Sequence, residues 1–125
     1  MRYLLDTHVI LWWLDDPHKI ASKARGIIAD KSNDIFISSV SIWEMAIKSE
    51  LNKLSIPMNM LTILHTEKFQ TLQLSSEESL SILDLPKIHS DPFDRLLIAQ
   101  AKFNDLILIT KDQTIIKYPI ITLKC

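Results

Sequence analysis

The chain has 125 residues, 47% hydrophobic and 23% charged, which is a globular composition rather than a disordered one. Its 14 basic and 15 acidic side chains give a formal net charge of −1, so bulk charge neither suggests nor excludes a nucleic-acid partner. The single glycine, Gly26, excludes a glycine-rich phosphate loop, and the single cysteine, Cys125, excludes an internal disulfide and cysteine-based zinc fingers.

Short apolar runs alternate with helical patterns along the chain. Tyr3-Leu4-Leu5 reads as a buried strand ending at Asp6, and His8 to Leu14 as a short apolar helix. Ile20, Ala24, Ile27 and Ile28 share one side of a helix over 20–29. Ile35-Phe36-Ile37 is a second strand, followed by Ser38-Ser39 and a helix over 40–51. Pro57 suits the first turn of a helix running to Phe69. Thr71 to Leu74 reads as a short strand. Ser75 or Ser76 caps a helix through Leu83, with Glu77 and Glu78 in its first turn. Asp91-Pro92 opens a helix ending near Asn104. Leu106 to Ile109 is a third clear strand, and Ile120 to Leu123 a further one. No linker, repeat or low-complexity stretch interrupts residues 1–125, which read as a single domain.

Strands alternating with helices imply an α/β fold. The strands are continuous apolar runs, as in a sheet covered on both faces. The expected architecture is a three-layer αβα sandwich around a central, mostly parallel sheet. Ligands in such sheets bind beyond the carboxyl ends of the strands. The apolar run Val9–Leu14 is too short to span a bilayer and lacks a cleavage site, so a cytoplasmic location is expected.

That edge of the sheet collects acids. Asp6 and Asp112 each stand just past a buried strand, where an N-cap is the simplest structural reading. Glu44 sits in a helix that is apolar on every side, where a carboxylate needs a partner that the helix itself does not offer. Asp91 caps the next helix, with Pro92 at its first position. Asp94 then heads a stripe with Leu97, Ile98 and Ala101. Arg95 pairs with Asp91 or contacts substrate. Glu44 and Asp94 are expected in the first turns of helices leaving the same edge. Four acids on one edge repel unless a cation lies among them, and oxygen-only ligation suits Mg²⁺ or Mn²⁺. His8, His18, His65 and His89 lack metal-binding spacing and are expected at the surface or at helix ends.

The segments Leu4-Leu5-Asp6-Thr7-His8, Ser38-Ser39-Val40-Ser41-Ile42-Trp43-Glu44, Asp91-Pro92-Phe93-Asp94-Arg95-Leu96-Leu97-Ile98-Ala99 and Thr110-Lys111-Asp112 resemble the PIN-domain nucleases. They are most similar to the VapC-like toxins of type II toxin–antitoxin pairs. The resemblance runs almost end to end, and it implies a Mg²⁺- or Mn²⁺-dependent endoribonuclease. Asp6, Glu44 and Asp94 match the family's metal-binding acids, and Asp112 matches a fourth position that is often acidic. Asp91 matches an acid typical of the subgroup that is not a core ligand. Thr7, Ser39 and Thr110 match small polar positions near the metal. The implied partners are an RNA substrate, a cognate antitoxin and a second copy of the chain in a homodimer. Asn52 stands where the family often has glycine before Lys-Leu, which predicts an altered turn.

A non-catalytic PIN-like module that binds RNA or protein is the main alternative, although a scaffold has no need of repelling acids. A phosphoacceptor receiver domain would need adjacent acids after the first strand, and Asp6 stands alone. Setting four of the 15 acids in one site leaves 11 against 14 basic side chains elsewhere. Lys48, Lys53, Lys87, Arg95 and Lys111 are then candidates to flank the site and meet phosphates.

Overall fold

A computed structural model describes residues 1–125. Its strands are β1 (Arg2–Leu5), β2 (Asp34–Ser38), β3 (Gln70–Leu72), β4 (Ile107–Thr110) and β5 (Thr122–Lys124). Its helices are α1 (Thr7–Asp15), α2 (Ser22–Ala29), α3 (Ser39–Glu50), α4 (Met60–Thr66), α5 (Ser76–Leu80) and α6 (Pro92–Phe103). The five strands form one sheet in the order β3-β2-β1-β4-β5, and every neighbouring pair is parallel. The expected αβα architecture is therefore present.

Strand alternation divides the core between the two faces. Tyr3, Leu5, Ile35, Ile37 and Ile109 pack with Val9, Ile10, Ala24, Ile28 and Leu64 from α1, α2 and α4. Leu4 and Leu108 face the other way and pack with Leu97, Ile98 and Ala101 of α6. Chain order reverses between β1 and β4: β2 and β3 lie on one side of that seam, β5 on the other. A crevice opens at such a reversal, beyond the carboxyl ends of the two strands.

Some boundaries differ from the sequence reading. The helix expected from Pro57 starts at Met60, after a turn closed by the Met60 N–H donating to the Pro57 carbonyl. It ends at Thr66 rather than Phe69, because Lys68 takes a left-handed φ of 64°. Ser75 caps α5 in a reciprocal capping box with Glu78, and the chain tightens into a 3-10 turn from Ser81. Helix α3 is not covered on every side, since Trp43 and Ala46 are exposed.

Three helices end in the same way without glycine. Asn52, Lys68 and Asp105 adopt φ of 58°, 64° and 53° just past α3, α4 and α6. At each, the following N–H reaches back five residues: Lys53 to Lys48, Phe69 to Leu64, and Leu106 to Ala101. These are Schellman endings. Asn52 supports the left-handed turn after α3 without glycine, because Asn tolerates that region better than most residues. Gly26 lies inside α2, where its Cβ would meet nothing within 4 Å.

Candidate metal centre

The seam between β1 and β4 positions the first acid. The Asp6 N–H donates to the Ile109 carbonyl at 3.0 Å, which carries the strand pairing one residue past β1. Asp6 occupies the N-cap position of α1, but its side chain makes no cap hydrogen bond. Its Oδ2 instead accepts from the Thr110 hydroxyl at 2.7 Å. Asp6 is only 4% exposed. Burial pushes its carboxyl above the usual range against the opposing donation from Thr110.

Glu44 is 3% exposed and lies in the second turn of α3, not the first. Its Oε1 accepts from the Thr7 hydroxyl at 2.8 Å, and Ser41 Oγ lies 2.9 Å from the same Thr7 oxygen. Its Oε2 takes an ion pair from Lys48 at 2.7 Å, one turn along the same helix. The helix therefore does supply the partner that the sequence reading found missing. The Glu44 hydrogen bond, with its charge, holds Lys48 above the ordinary lysine value.

Asp91 caps α6, accepting from the Phe93 and Asp94 N–H groups at 2.8 and 3.4 Å. Asp94 follows in the first turn. Burial pushes its carboxyl up to about 7, helped by the charges of Asp6, Asp91 and Glu44, while His89 opposes them. Asp112 divides its oxygens. Oδ1 accepts from the Thr114 and Ile115 N–H groups at 2.7 and 3.3 Å, and Oδ2 faces His89. Burial would raise Asp112, but His89 and the two backbone donors together bring it below the usual range.

His89 corrects the sequence reading. His8, His18 and His65 are exposed, whereas His89 lies inside the acidic cluster. Its Nε2 is 3.1 Å from Asp94 Oδ2 and 2.9 Å from Asp112 Oδ2. The Asp91 N–H donates to its Nδ1 at 3.1 Å, which requires the neutral ring with its hydrogen on Nε2. Burial favours that neutral form, but the neighbouring acids outweigh it and raise the His89 pKa. Protonation would cost the bond from Asp91. Tyr118 sets the loop, its hydroxyl oxygen accepting from the Ile88 and His89 N–H groups at 3.1 and 2.7 Å.

Ligand atoms of His89, Asp94 and Asp112 lie within 4.8 Å of one another, a triad that Asp6 and Glu44 do not join. They act on it through their charge on Asp94. The Ser39 hydroxyl accepts from the Leu74 N–H at 3.1 Å and so ties α3 to the segment after β3. Ser38, its neighbour, caps α3 and bonds the buried Gln100. Arg95 does not pair with Asp91; its Nη2 donates to the Ile82 carbonyl at 3.1 Å. Lys111 lies over the Trp12 ring at 5.4 Å.

The donor set suits a divalent cation: two carboxylates and one imidazole converge, and burial, joined by the charges of Asp6 and Glu44, pushes the Asp94 carboxyl up to about 7. A parallel αβα sheet with an acidic, metal-compatible edge at its strand reversal is the class that fold and site define. The PIN domain model matches residues 3–121, and the chain belongs to that family. It is 27% identical over 113 residues to ribonuclease VapC22 of Mycobacterium tuberculosis (strain ATCC 25618 / H37Rv), covering 88% of this chain and 86% of that protein. Solved structures of similar fold include VapBC2 from Rickettsia felis bound to a promoter DNA fragment, with TM-score 0.73, 18% identity, and 99% and 98% of the two chains covered. DNA-bound VapBC from Salmonella typhimurium gives the same TM-score of 0.73 at 16% identity, covering 99% and 98%. FitAcB from Neisseria gonorrhoeae gives 0.64 at 19% identity, covering 98% and 96%. No helix is long and apolar enough to cross a membrane.

Proposed function

We propose that this protein is a Mg²⁺- or Mn²⁺-dependent endoribonuclease acting as the toxin of a type II toxin–antitoxin pair. Residues 1–125 work as one unit, in the cytoplasm, as a homodimer restrained by a cognate antitoxin. The observation that carries the reading is the acidic edge at the strand reversal: Asp94 and Asp112 meet at His89, and Asp6 and Glu44 act on Asp94 through their charge, with Asp94 pushed up to about 7. Family membership, the ribonuclease name of the mycobacterial relative and the toxin–antitoxin complexes among the structural neighbours support it.

Asp6, Glu44 and Asp94 would hold the metal, with Asp112 beside them. When bound, such an ion supplies an activated water and offsets charge developing on a scissile phosphate. The chain's own groups prepare the site. The Thr110 hydroxyl fixes the Asp6 carboxylate, and the Thr7 hydroxyl fixes Glu44, so neither oxygen is free to rotate away. Asp94 has to release its proton before it can ligate. The Lys48 side chain, 37% exposed, brings positive charge to the lip where a phosphate backbone would approach.

Incubating RNA with purified protein and Mn²⁺ tests the reading. Unmodified protein is expected to cleave and Asp6→Ala to be inactive; equal activity in both would reject the assigned site. A non-catalytic binding module predicts no rise in melting temperature with Mg²⁺.

A further inference from the structure

Two aromatic rings adjoin the acids in the chain and take no part in holding them. Trp43 directly precedes Glu44 on α3, and Phe93 directly precedes Asp94 on α6. Their ring centroids are 5.4 Å apart at 73°, an edge-to-face contact between the two helices. Phe93 is half-buried and packed on the Leu97–Leu108 side of the core, so it anchors the pair. Trp43 is 59% exposed. An edge-to-face contact occupies at most one face of an indole, which leaves a flat aromatic surface open to solvent on a residue adjoining Glu44 in the chain and touching the neighbour of Asp94.

We propose that Trp43, braced by Phe93, is a stacking platform for an unpaired nucleobase next to the scissile phosphate. This rests on the ribonuclease reading given above. A phosphate lying against the acids carries its bases within reach of whatever flanks them, and two separate helices place an aromatic residue directly before an acid. Single-stranded RNA offers splayed bases that stack on such rings, whereas paired bases are hidden. Lys48, partly exposed on the same helix as Trp43, adds positive charge for the backbone. The platform therefore selects unpaired RNA and acts on binding, while the acids carry the chemistry.

The test compares Trp43→Phe, which keeps a ring, with Trp43→Leu, which keeps apolar area alone. The probe is a randomised single-stranded RNA pool with a fluorescent end label, in Mn²⁺. Trp43→Leu is expected to raise KM roughly ten-fold or more with kcat almost unchanged, and Trp43→Phe to stay within about three-fold of the unmodified KM. Equal KM for the Leu and unmodified proteins overturns the platform. So does a Leu variant that elutes at a smaller assembly size while binding RNA as before, since Trp43 would then be an interface between copies. If the unmodified protein cleaves nothing, the nuclease reading fails. The platform is then judged by anisotropy of the same RNA: binding lost in Leu and kept in Phe upholds it, and equal binding in both overturns it.

Discussion

His89 and Asp112 stand 23 residues apart in sequence and meet with Nε2 2.9 Å from Oδ2. The same nitrogen reaches Asp94 at 3.1 Å, so one imidazole links two of the four acids. Without a metal ion, the ring is the hydrogen-bond donor that separates their charges.

His89→Ala is expected to lower the melting temperature of the metal-free protein by about 3–5 °C, equivalent to about 1 kcal/mol for a domain of this size. The rise on adding Mn²⁺ should be larger than in the unmodified protein, because the ion then relieves an uncompensated repulsion. Thermal melts with and without Mn²⁺ measure both. Loss of the Mn²⁺ response would instead make His89 a ligand.

Asp94 predicts the pH dependence of the metal-free fold. A carboxyl raised from 3.8 to about 7 destabilises the fold once ionised. Stability from this site is full below about 3.8 and is lost progressively as pH rises from there through about 7. The raised His89 pKa acts in the same direction, since stability tied to its protonated form also declines with rising pH. Asp94→Asn should stabilise the metal-free protein at pH 8 by on the order of 1–2 kcal/mol after solvent screening, and by roughly a third of that at pH 5. Urea unfolding in EDTA at the two pH values checks it; equal shifts at both would refute the electrostatic cause.

Thr110 serves two acids. Its hydroxyl donates to Asp6 and accepts from the Asp112 N–H at 3.0 Å. Thr110→Val keeps the shape and removes both bonds. Mn²⁺ affinity by calorimetry should weaken roughly ten- to a hundred-fold with the fold intact. Unchanged affinity would show that Asp6 needs no orienting partner.

The helix endings carry a stability prediction. Lys68 holds a left-handed φ at the end of α4, a conformation in which side chains other than glycine are strained. Lys68→Gly is expected to stabilise by roughly 1 kcal/mol, and Asn52→Gly by less, since Asn tolerates that region. Denaturant midpoints of the two variants rank them; a larger gain at Asn52 contradicts the strain.

Much of this arrangement was legible in the sequence because burial on both sheet faces makes each strand an apolar run, and an acid at its end stands out. Asp6 and Asp112 were visible for that reason, and Asp94 through the capping pattern before it. His89 was not. It lies in a segment without helix or strand and is placed by Tyr118, nearly thirty residues on, with no local periodicity to mark it. Lys48 was legible at i+4 from Glu44 and was passed over for a more distant partner. The exposure of Trp43 was hidden for a different reason: residue spacing says which side chains are apolar, not which are covered.

The seam between β1 and β4 also fixes when the site comes into being. Leu4 pairs with Leu108 and Leu5 with Ile109, so Asp6 acquires its neighbour Thr110, 104 positions later, only once β4 has been made. During synthesis the early acids emerge apart from the later ones. No growing chain holds the complete acid set until Asp112 has been added and β4 has docked. On the proposed nuclease reading, the acid set is incomplete, and the chain harmless to the RNA around it, until that one strand pair closes.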